Sequence, residues 1–481
     1  MKDFLKKNWI ILTVELLILI AFYIFYGKFG DSVVDSFREA YIPSRILDGK
    51  ILYKNIFTIY APFAYLFNAL LFVIFGVKLK VLQIAGLLTT MEIFYFTYKI
   101  SSKFLDKFCT SGILLFFFAG FALSSNVFNS FFPYSYGILY GLLFALCSIY
   151  FALEKKFNLA YLFCAFAICS KYEFILSIIP LILLSRKTEW KKNLVFFIIP
   201  FLITFLPLFF MGLRFNDLFT TFGLIGMMTS TKTLAWFYSA TGLTFRPEHI
   251  SLYLINFAKF YIPVYWKLWQ EVLMWIFPMV FFLGCFRFKK LNAGEKFFIL
   301  ASLLISAKVF FALTLQSYGV YFIPFGLISL FILMPEKIKK YNCAVLILWS
   351  LVVGINNGMV LAKKDVTTLD NVVDFVNRNT KISDRVIVYP EGLKVNVLTG
   401  RKSDDKFYSL IPLYVETFGD EIIIKRLEIT KPKYIVTTDY DTSAYYFRKF
   451  GEDYAIDTMK FIRKNYSLVK KDDYAEYYKL N

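Results

Sequence analysis

The sequence predicts an all-α polytopic membrane protein with about eleven transmembrane helices, followed by a small C-terminal α/β domain. Three observations lead to this prediction. Hydrophobic residues make up 58% of the 481 residues and aromatic residues 20%, which is more apolar surface than a soluble fold can bury. Lys and Arg residues stand in short clusters between long apolar runs. The last part of the chain, residues 363–481, is polar in composition.

Charge and residue usage exclude several classes of protein. The formal net charge of +19 would suit a nucleic-acid binder, but the basic clusters border apolar runs, where topology signals lie. We therefore predict membrane lipids as a partner and no nucleic acid. The six cysteines lie in or beside apolar runs, without the spacing of a metal site or a disulfide framework. His249 is the only histidine, which excludes a His-rich metal centre and argues against a Ser-His-Asp triad.

Apolar runs and basic clusters together give the order of the helices. A first helix at 9–26 follows three lysines, which predicts a cytoplasmic N-terminus. Residues 27–80 then form a first external loop. Its apolar stretch 62–77 is predicted to lie flat at the interface, because counting it as a span would reverse the alternation of basic loops. The further predicted helices are 79–100, 108–125, 134–153, 159–170, 174–185, 193–211, 272–286, 297–314, 319–334 and 341–362.

Two regions outside the predicted spans are long enough to carry structure of their own. The second large external loop, 212–271, has the length of a lid or a binding loop; the alternative is an interfacial stretch anchored by tryptophans. The chain then divides into a transmembrane domain, 1–362, and an extracytoplasmic α/β domain, 363–481. In the latter domain, the predicted elements are a helix with Leu369, Val372, Val373 and Val376 on one face, strands at 385–389 and 433–438, and a helix at 454–466.

The first external loop holds the densest group of charged residues. On a helix, Asp35 shares a face with Arg38 and Glu39, which follow it by three and four positions. A carboxylate beside an arginine stays ionised at neutral pH, as a general base must, and it is held in one orientation. The alternative is a solvated loop helix whose charges serve only solubility.

Two further groups are candidate binding residues. Lys171 and Glu173 stand between two apolar segments too short to span comfortably, and ionisable groups at that depth are usually functional. A lysine there could hold a phosphate as a point charge, whereas the alternative is a turn in which Lys171 reaches the interface. Arg214 lies in the second external loop.

The residues of the first loop resemble a known family. The stretch DSFREAYIP at 35–43, followed by LDGKILYKNIF at 47–57 and Tyr60-Ala61-Pro62, is similar to the first external loop of bacterial GT-C glycosyltransferases. The members concerned are the protein O-mannosyltransferase-like and aminoarabinose-transferase-like enzymes, family 39-like. Their pattern is an acidic residue, an amphipathic helix, a Gly-Lys-x-x-Tyr turn and a Tyr-Gly-Pro-like entry to an apolar segment. Only this loop is specific, although the remainder of the chain is consistent with the family.

The resemblance implies a GT-C-like bundle in a bacterial inner membrane that transfers a sugar from a polyprenyl-phosphate donor. The acceptor would be a lipid, glycan or protein hydroxyl on the extracytoplasmic face, and the anomeric centre would be inverted. Asp35 takes the position of the family's catalytic carboxylate. The candidate substrate-binding residues are Arg38, Glu39, Tyr60, Lys171, Glu173 and Arg214. Phe37 and Asn55 depart from the family's pattern, which leaves the acceptor and the use of a divalent cation open, and no other cofactor is predicted.

Two other classes share this topology. A flippase or transporter of lipid-linked glycans should show internal repeats and a charged central cavity, and the sequence shows neither. A surface-polysaccharide polymerase or ligase would usually place its largest external loop late in the chain and lack a soluble C-terminal domain. An inactive membrane scaffold is the third alternative.

Overall fold

Long apolar helices make up most of the chain as far as Lys363. The computed structural model describes residues 2–30, 33–125, 128–185, 190–228, 231, 233, 269–307 and 316–481. The helices of this part are α1 (Lys2–Ile24), α2 (Asp35–Leu47), α3 (Phe63–Phe75), α4 (Leu79–Phe104), α5 (Lys107–Phe117), α6 (Tyr136–Leu153), α7 (Phe157–Ser170), α8 (Ile178–Ser185), α9 (Trp190–Phe210), α10 (Phe215–Met228), α11 (Trp269–Arg287), α12 (Ala293–Ile305), α13 (Ile323–Leu333) and α14 (Glu336–Lys363).

Several of these helices are continued by tighter or wider turns. A π-helical turn, Phe118–Ala122, extends α5, and three 3-10 segments stand at Tyr172–Ser177, Phe288–Lys290 and Gln316–Phe322. Of the predicted loop 212–271, the structure describes α10, which ends at Met228, and the first residues of α11. Most of the remainder of that loop lies outside the described residues.

Four helices of the described chain are long and apolar enough to cross a membrane by length and composition: α4, α6, α9 and α14. Six further apolar helical segments are shorter. At 1.5 Å per residue, α3 is about 20 Å long, which is less than the roughly 30 Å of a hydrocarbon core. The mostly helical fold is as predicted, whereas the count of about eleven spans and the flat position of 62–77 stay predictions.

The chain divides into two compact units. The first consists of the described residues of Met1–Gly30, Tyr60–Pro207 and Ile255–Lys364. Its interior is aromatic: the rings of Phe94 and Phe117 stack at 4.6 Å, and those of Phe117 and Phe121 at 4.8 Å. Such offset pairs add to the burial of their apolar area. Within this unit, Lys364 at the end of α14 donates to the carbonyls of Gly30 (2.6 Å) and Ser125 (2.9 Å), which ties three chain segments together.

The second unit consists of the described residues of Asp31–Ile59, Leu208–Leu254 and Asp365–Asn481. Its sheet has the strand order β1-β2-β4-β3, in which β1 and β2 are parallel and the other neighbours antiparallel. The elements after residue 365 are α15 (Asp370–Asn379), β1 (Val386–Tyr389), α16 (Leu393–Thr399), α17 (Pro412–Phe418), α18 (Asp420–Thr430), β2 (Tyr434–Thr438), α19 (Ile456–Asn465), β3 (Tyr466–Lys471) and β4 (Ala475–Leu480). The predicted helices and strands of this segment coincide with α15, β1, β2 and α19.

The second unit is discontinuous, because the first loop folds with the C-terminal segment. The backbone N–H of Lys394 donates to the carbonyl of Val33 at 3.0 Å, and that of Phe57 donates to Lys406 at 3.1 Å. The Phe57 ring also meets Phe418 edge-on at 4.9 Å. The single predicted boundary, between residues 362 and 363, does not account for this pairing of distant segments.

Candidate functional site

Asp35 begins α2, the helix that the first loop was expected to form. Its carboxylate lies in the first turn, where the partial positive charge of a helix N-terminus favours a negative group. Arg38, one turn later, donates from Nη1 to Asp35 Oδ1 at 2.8 Å. The side chain of Asp35 is 40% exposed and that of Arg38 is 6% exposed. The predicted pair therefore forms, with a buried guanidinium holding a carboxylate that solvent can reach.

Glu39 lies behind this pair and is fully buried. Its Oε1 is 3.5 Å from Nε of Arg38, so the guanidinium stands between two carboxylates. A buried charge is tolerated only when it is paired, and this arrangement pairs all three groups. Glu39 is thus linked to Asp35 through the guanidinium of Arg38. The structure thus brings together the three candidates of the first loop.

An ionic network anchors the other end of α2 to the C-terminal segment. Arg45 donates to Asp48 at 2.8 Å and to Asp404, while Arg385 donates to Asp404 at 2.9 Å and Lys402 to Asp48 at 2.5 Å. Burial would raise the pKa of Asp404, but the charge and hydrogen bond of Arg45 outweigh it and, with Arg385, lower that pKa. None of this network was predicted, since Arg45 and Asp404 are 359 positions apart.

A second candidate cluster lies within the first unit, around Lys171. The ammonium of Lys171, whose side chain is 9% exposed, donates to the hydroxyl of Tyr134 and is 3.7 Å from Glu173 Oε1. It also lies 4.9 Å from the ring centre of Tyr134 and 5.8 Å from that of Tyr60. The structure therefore brings together the candidates Tyr60, Lys171 and Glu173, and it adds Tyr134. The predicted alternative, a lysine that reaches the interface from a turn, would leave the ammonium exposed, whereas here it is buried.

Arg214 lies in the turn before α10 and is exposed. Its backbone N–H donates to Asp217 Oδ2 at 2.9 Å, which closes the first turn of the helix. A binding role for its side chain stays a prediction. For the divalent cation that the sequence leaves open, the described residues offer no group of three or more His, Cys, Asp or Glu side chains.

The architecture matches solved structures of GT-C membrane glycosyltransferases. One is the aminoarabinose transferase ArnT from Cupriavidus metallidurans bound to undecaprenyl phosphate: the TM-score is 0.57, the identity 12%, and 98% of each chain is covered. The same enzyme in its apo state gives a TM-score of 0.58 at 10% identity, again over 98% of each chain. The oligosaccharyltransferase from Archaeoglobus fulgidus gives 0.52 at 10% identity, over 91% of this chain and 69% of the other.

Sequence comparison adds no relative to these structures. No protein-family model matches the chain, and no curated protein matches it. At identities of 10–12%, the likeness is one of fold. The chain has the GT-C fold, and the resemblance stated for the first loop is confirmed at that level.

Proposed function

We propose that this protein is a membrane glycosyltransferase in which Asp35 is the general base. The observation that carries the proposal is the solvent-accessible carboxylate of Asp35, fixed by the buried Arg38 in a chain of GT-C fold. A general base must be oriented and must be reachable by the proton it abstracts. The pair on α2 meets both conditions, and Glu39 behind it holds the guanidinium in place.

The proposed reaction is a single displacement at the anomeric carbon. The acceptor hydroxyl oxygen forms the new bond to that carbon while its proton passes to Asp35. The bond between the anomeric carbon and the phosphate oxygen breaks, and the lipid phosphate leaves with the bonding electrons. Because attack and departure occur on opposite faces, the product has the inverted configuration. General-base assistance of this type typically contributes about 100- to 10,000-fold.

A polyprenyl-phosphate sugar is the proposed donor. An active site on the extracytoplasmic face, which we also propose, cannot use nucleotide sugars, because these stay in the cytoplasm. The fold supports a lipid carrier, since one neighbour of the same fold is a complex with undecaprenyl phosphate. The acceptor is a hydroxyl of a lipid, a glycan or a protein.

Lys171 is the proposed partner of the donor phosphate. Its ammonium lies against two tyrosine rings and near Glu173, so its position is fixed before any ligand binds. A fixed cation aimed at a leaving phosphate stabilises the charge that develops as the bond breaks. In this proposal Tyr60 and Glu173 orient the lysine, and Arg214 is a further substrate-binding residue.

The test uses the purified protein in nanodiscs with a panel of polyprenyl-phosphate sugars and candidate acceptors, followed by mass spectrometry. We expect one donor to lose its sugar and one acceptor to gain the same mass. Asp35→Asn should lower the transfer rate at saturating donor at least about 100-fold. Lys171→Met should raise the donor concentration needed for half-maximal rate and also lower the rate at saturating donor, because the charge that the lysine stabilises grows as the bond breaks.

The matched control is Asp457→Asn, the same change at an exposed site of the second unit, where the carboxylate pairs only with Lys460 at the surface. This variant should retain the wild-type rate. Full activity of a folded Asp35→Asn variant would remove Asp35 as the base. Movement of an intact lipid-linked sugar across the bilayer without transfer would instead support the flippase alternative.

A further inference from the structure

The second unit contains a cavity of about 80 Å³ that neither Asp35 nor Lys171 lines. Its walls come from the C-terminal end of α2 with the following turn, and from the segment that includes α18. Five cationic side chains line it: Arg45, Lys50, Lys54, Lys406 and Arg426. Two carboxylates, those of Asp404 and Asp405, also line it, which leaves three positive charges in excess.

Both carboxylates are already held by arginines. Asp404 accepts hydrogen bonds from Arg45 and Arg385, and Asp405 Oδ1 accepts from Arg426 Nε at 3.1 Å. The excess charge therefore rests on the three lysines rather than on the arginines. The two carboxylates and the two arginines of the cavity wall thus pair with one another.

The three lysines have no ion-pair partner in the part of the chain that the structure describes. Lys54 donates to a neutral acceptor, the carbonyl of Gly212, at 2.9 Å. Burial lowers the pKa of Lys406, and the nearby charge of Arg426 lowers it further, against an opposing effect of Asp217. The three lysines thus bring positive charge to a partly enclosed space, and this charge is offset only in part, by Asp217 at Lys406 and by Asp404 at Lys50.

We propose that this cavity, the lysine cavity, is a binding site for one phosphate-class anion. Several ammonium groups converging on a small polar space are the usual means of binding a tetrahedral oxyanion, since each donates a charge-assisted hydrogen bond. The volume has room for several water molecules, which is the size of a single phosphate group rather than of a sugar. The ligand is either free phosphate or the headgroup of an anionic phospholipid.

Binding there would connect two distant parts of the chain. Lys50 and Lys54 follow α2 directly, while Lys406 and Arg426 belong to the C-terminal segment, so an anion would bridge them. Because the ligand binds the folded unit only, it should raise that unit's stability, by an amount that grows with the logarithm of the ligand concentration once this exceeds the dissociation constant. Asp35 does not line the cavity: of the lining residues on α2, Tyr41 lies about 9 Å and Arg45 about 15 Å along the helix from it, so the site is separate from the proposed base.

The experiment measures anion binding to the purified full-length protein in a zwitterionic detergent, by isothermal titration calorimetry and thermal unfolding. Inorganic phosphate should bind saturably and raise the unfolding temperature, whereas sodium chloride of equal ionic strength should not. Lys50→Met and Lys406→Met should each weaken phosphate binding by about tenfold. Lys460→Met, an identical change at the exposed surface of the same unit, should bind phosphate as the wild type does.

A second set of measurements, in nanodiscs of phosphatidylglycerol or phosphatidylcholine, distinguishes free phosphate from a lipid headgroup as the source of the anion. Stabilisation by phosphatidylglycerol that Lys50→Met abolishes identifies a lipid headgroup; stabilisation by phosphate alone identifies a soluble ligand. Equal effects of phosphate and chloride, or unchanged phosphate binding in both lysine variants, would overturn the site.

Two features keep this experiment independent of misfolding and of the transfer reaction. Without anion, the lysine variants should unfold near the wild-type temperature, because neither Lys50 nor Lys406 has an ion-pair partner among the described residues. Asp35→Asn should bind phosphate normally. A failure of the lysine cavity therefore leaves the role of Asp35 untouched, and the reverse also holds.

Discussion

Asp404 and Asp405 are neighbours in sequence whose pKa values move in opposite directions. Asp404 is partly exposed, and the charges around it, chiefly Arg45, overcome the effect of burial and lower its pKa. Burial dominates at Asp405, whose pKa is raised even though Arg426 opposes the change. Neighbouring charge thus outweighs desolvation at Asp404, whereas desolvation outweighs neighbouring charge at Asp405.

This difference predicts how acid affects the second unit. A carboxyl whose pKa is lower in the folded state stabilises that state above its unfolded pKa, about 3.9, and this contribution is lost as the pH falls through the folded value. Asp404→Asn should therefore lower the unfolding temperature at pH 7, and the difference from the wild type should shrink below about pH 4. Thermal unfolding of the purified protein across this range measures it. A constant difference down to pH 3 would show that Asp404 contributes through something other than its charge.

The helix α4 packs closely against a loop of its own unit. A Cβ atom added to Gly86 would stand 2.3 Å from the carbonyl oxygen of Phe131, far inside van der Waals contact. Hydrogen bonds lie on both sides of this close contact between helix and loop. Thr90 donates to the carbonyl of Gly86 at 2.7 Å, and Tyr136 donates to the carbonyl of Leu82 at 2.6 Å. Position 86 requires glycine because a side chain would collide with the loop, and not because the backbone adopts a conformation that only glycine favours.

Gly86→Ala should consequently destabilise the first unit, although alanine is the better helix former. Overpacking of this kind typically costs about 1 to 3 kcal/mol, which exceeds the gain of about 1 kcal/mol in helix propensity. The measurement is the temperature at which half of the detergent-solubilised protein loses its monodisperse peak in size-exclusion chromatography. Gly284→Ala in α11, where nothing lies within 4 Å of the added atom, is the control and should leave that temperature unchanged or raise it.

The elements that sequence predicts well are those whose signal is local. Apolar length locates most of the described apolar helices to within a few residues, although the later part of the predicted helix 297–314 lies outside the described residues. Spacing of three places Arg38 beside Asp35. The helices α16, α17 and α18 and the strands β3 and β4 were not predicted. Four of these are only six or seven residues long, and β3 is exposed along most of its length, so its pattern carries no alternation of buried side chains. The network around Arg45 and the lysine cavity depend on contacts between distant segments, for which one sequence holds no signal.

For the whole molecule, α14 predicts on which side of the bilayer the C-terminal segment lies. Its 28 residues measure about 42 Å, enough to cross the hydrocarbon core of about 30 Å once. Glu336 at its start borders the basic cluster predicted to be cytoplasmic, and the C-terminal segment follows its end. The two ends should therefore lie on opposite sides.

Cysteine labelling tests this orientation. In a Cys285→Ser background the remaining five cysteines are buried, so a new cysteine reports its own location. In spheroplasts, an impermeant maleimide should label Lys460→Cys at once and Glu336→Cys only after the membrane is opened. The reverse order would place Asp35's unit in the cytosol and end the proposal of a lipid-linked donor. Immediate labelling of both positions would mean that α14 does not cross.

The discontinuity of the second unit has a consequence for how the protein is made. The ribosome produces Arg45 long before Asp404, 359 residues later, so the first loop must wait for its partner until synthesis is nearly complete. A nascent or truncated chain would hold its apolar helices without the completed second unit, to which Asp35 belongs. We therefore expect a chain that ends before the last strands to lack the transfer activity proposed for Asp35.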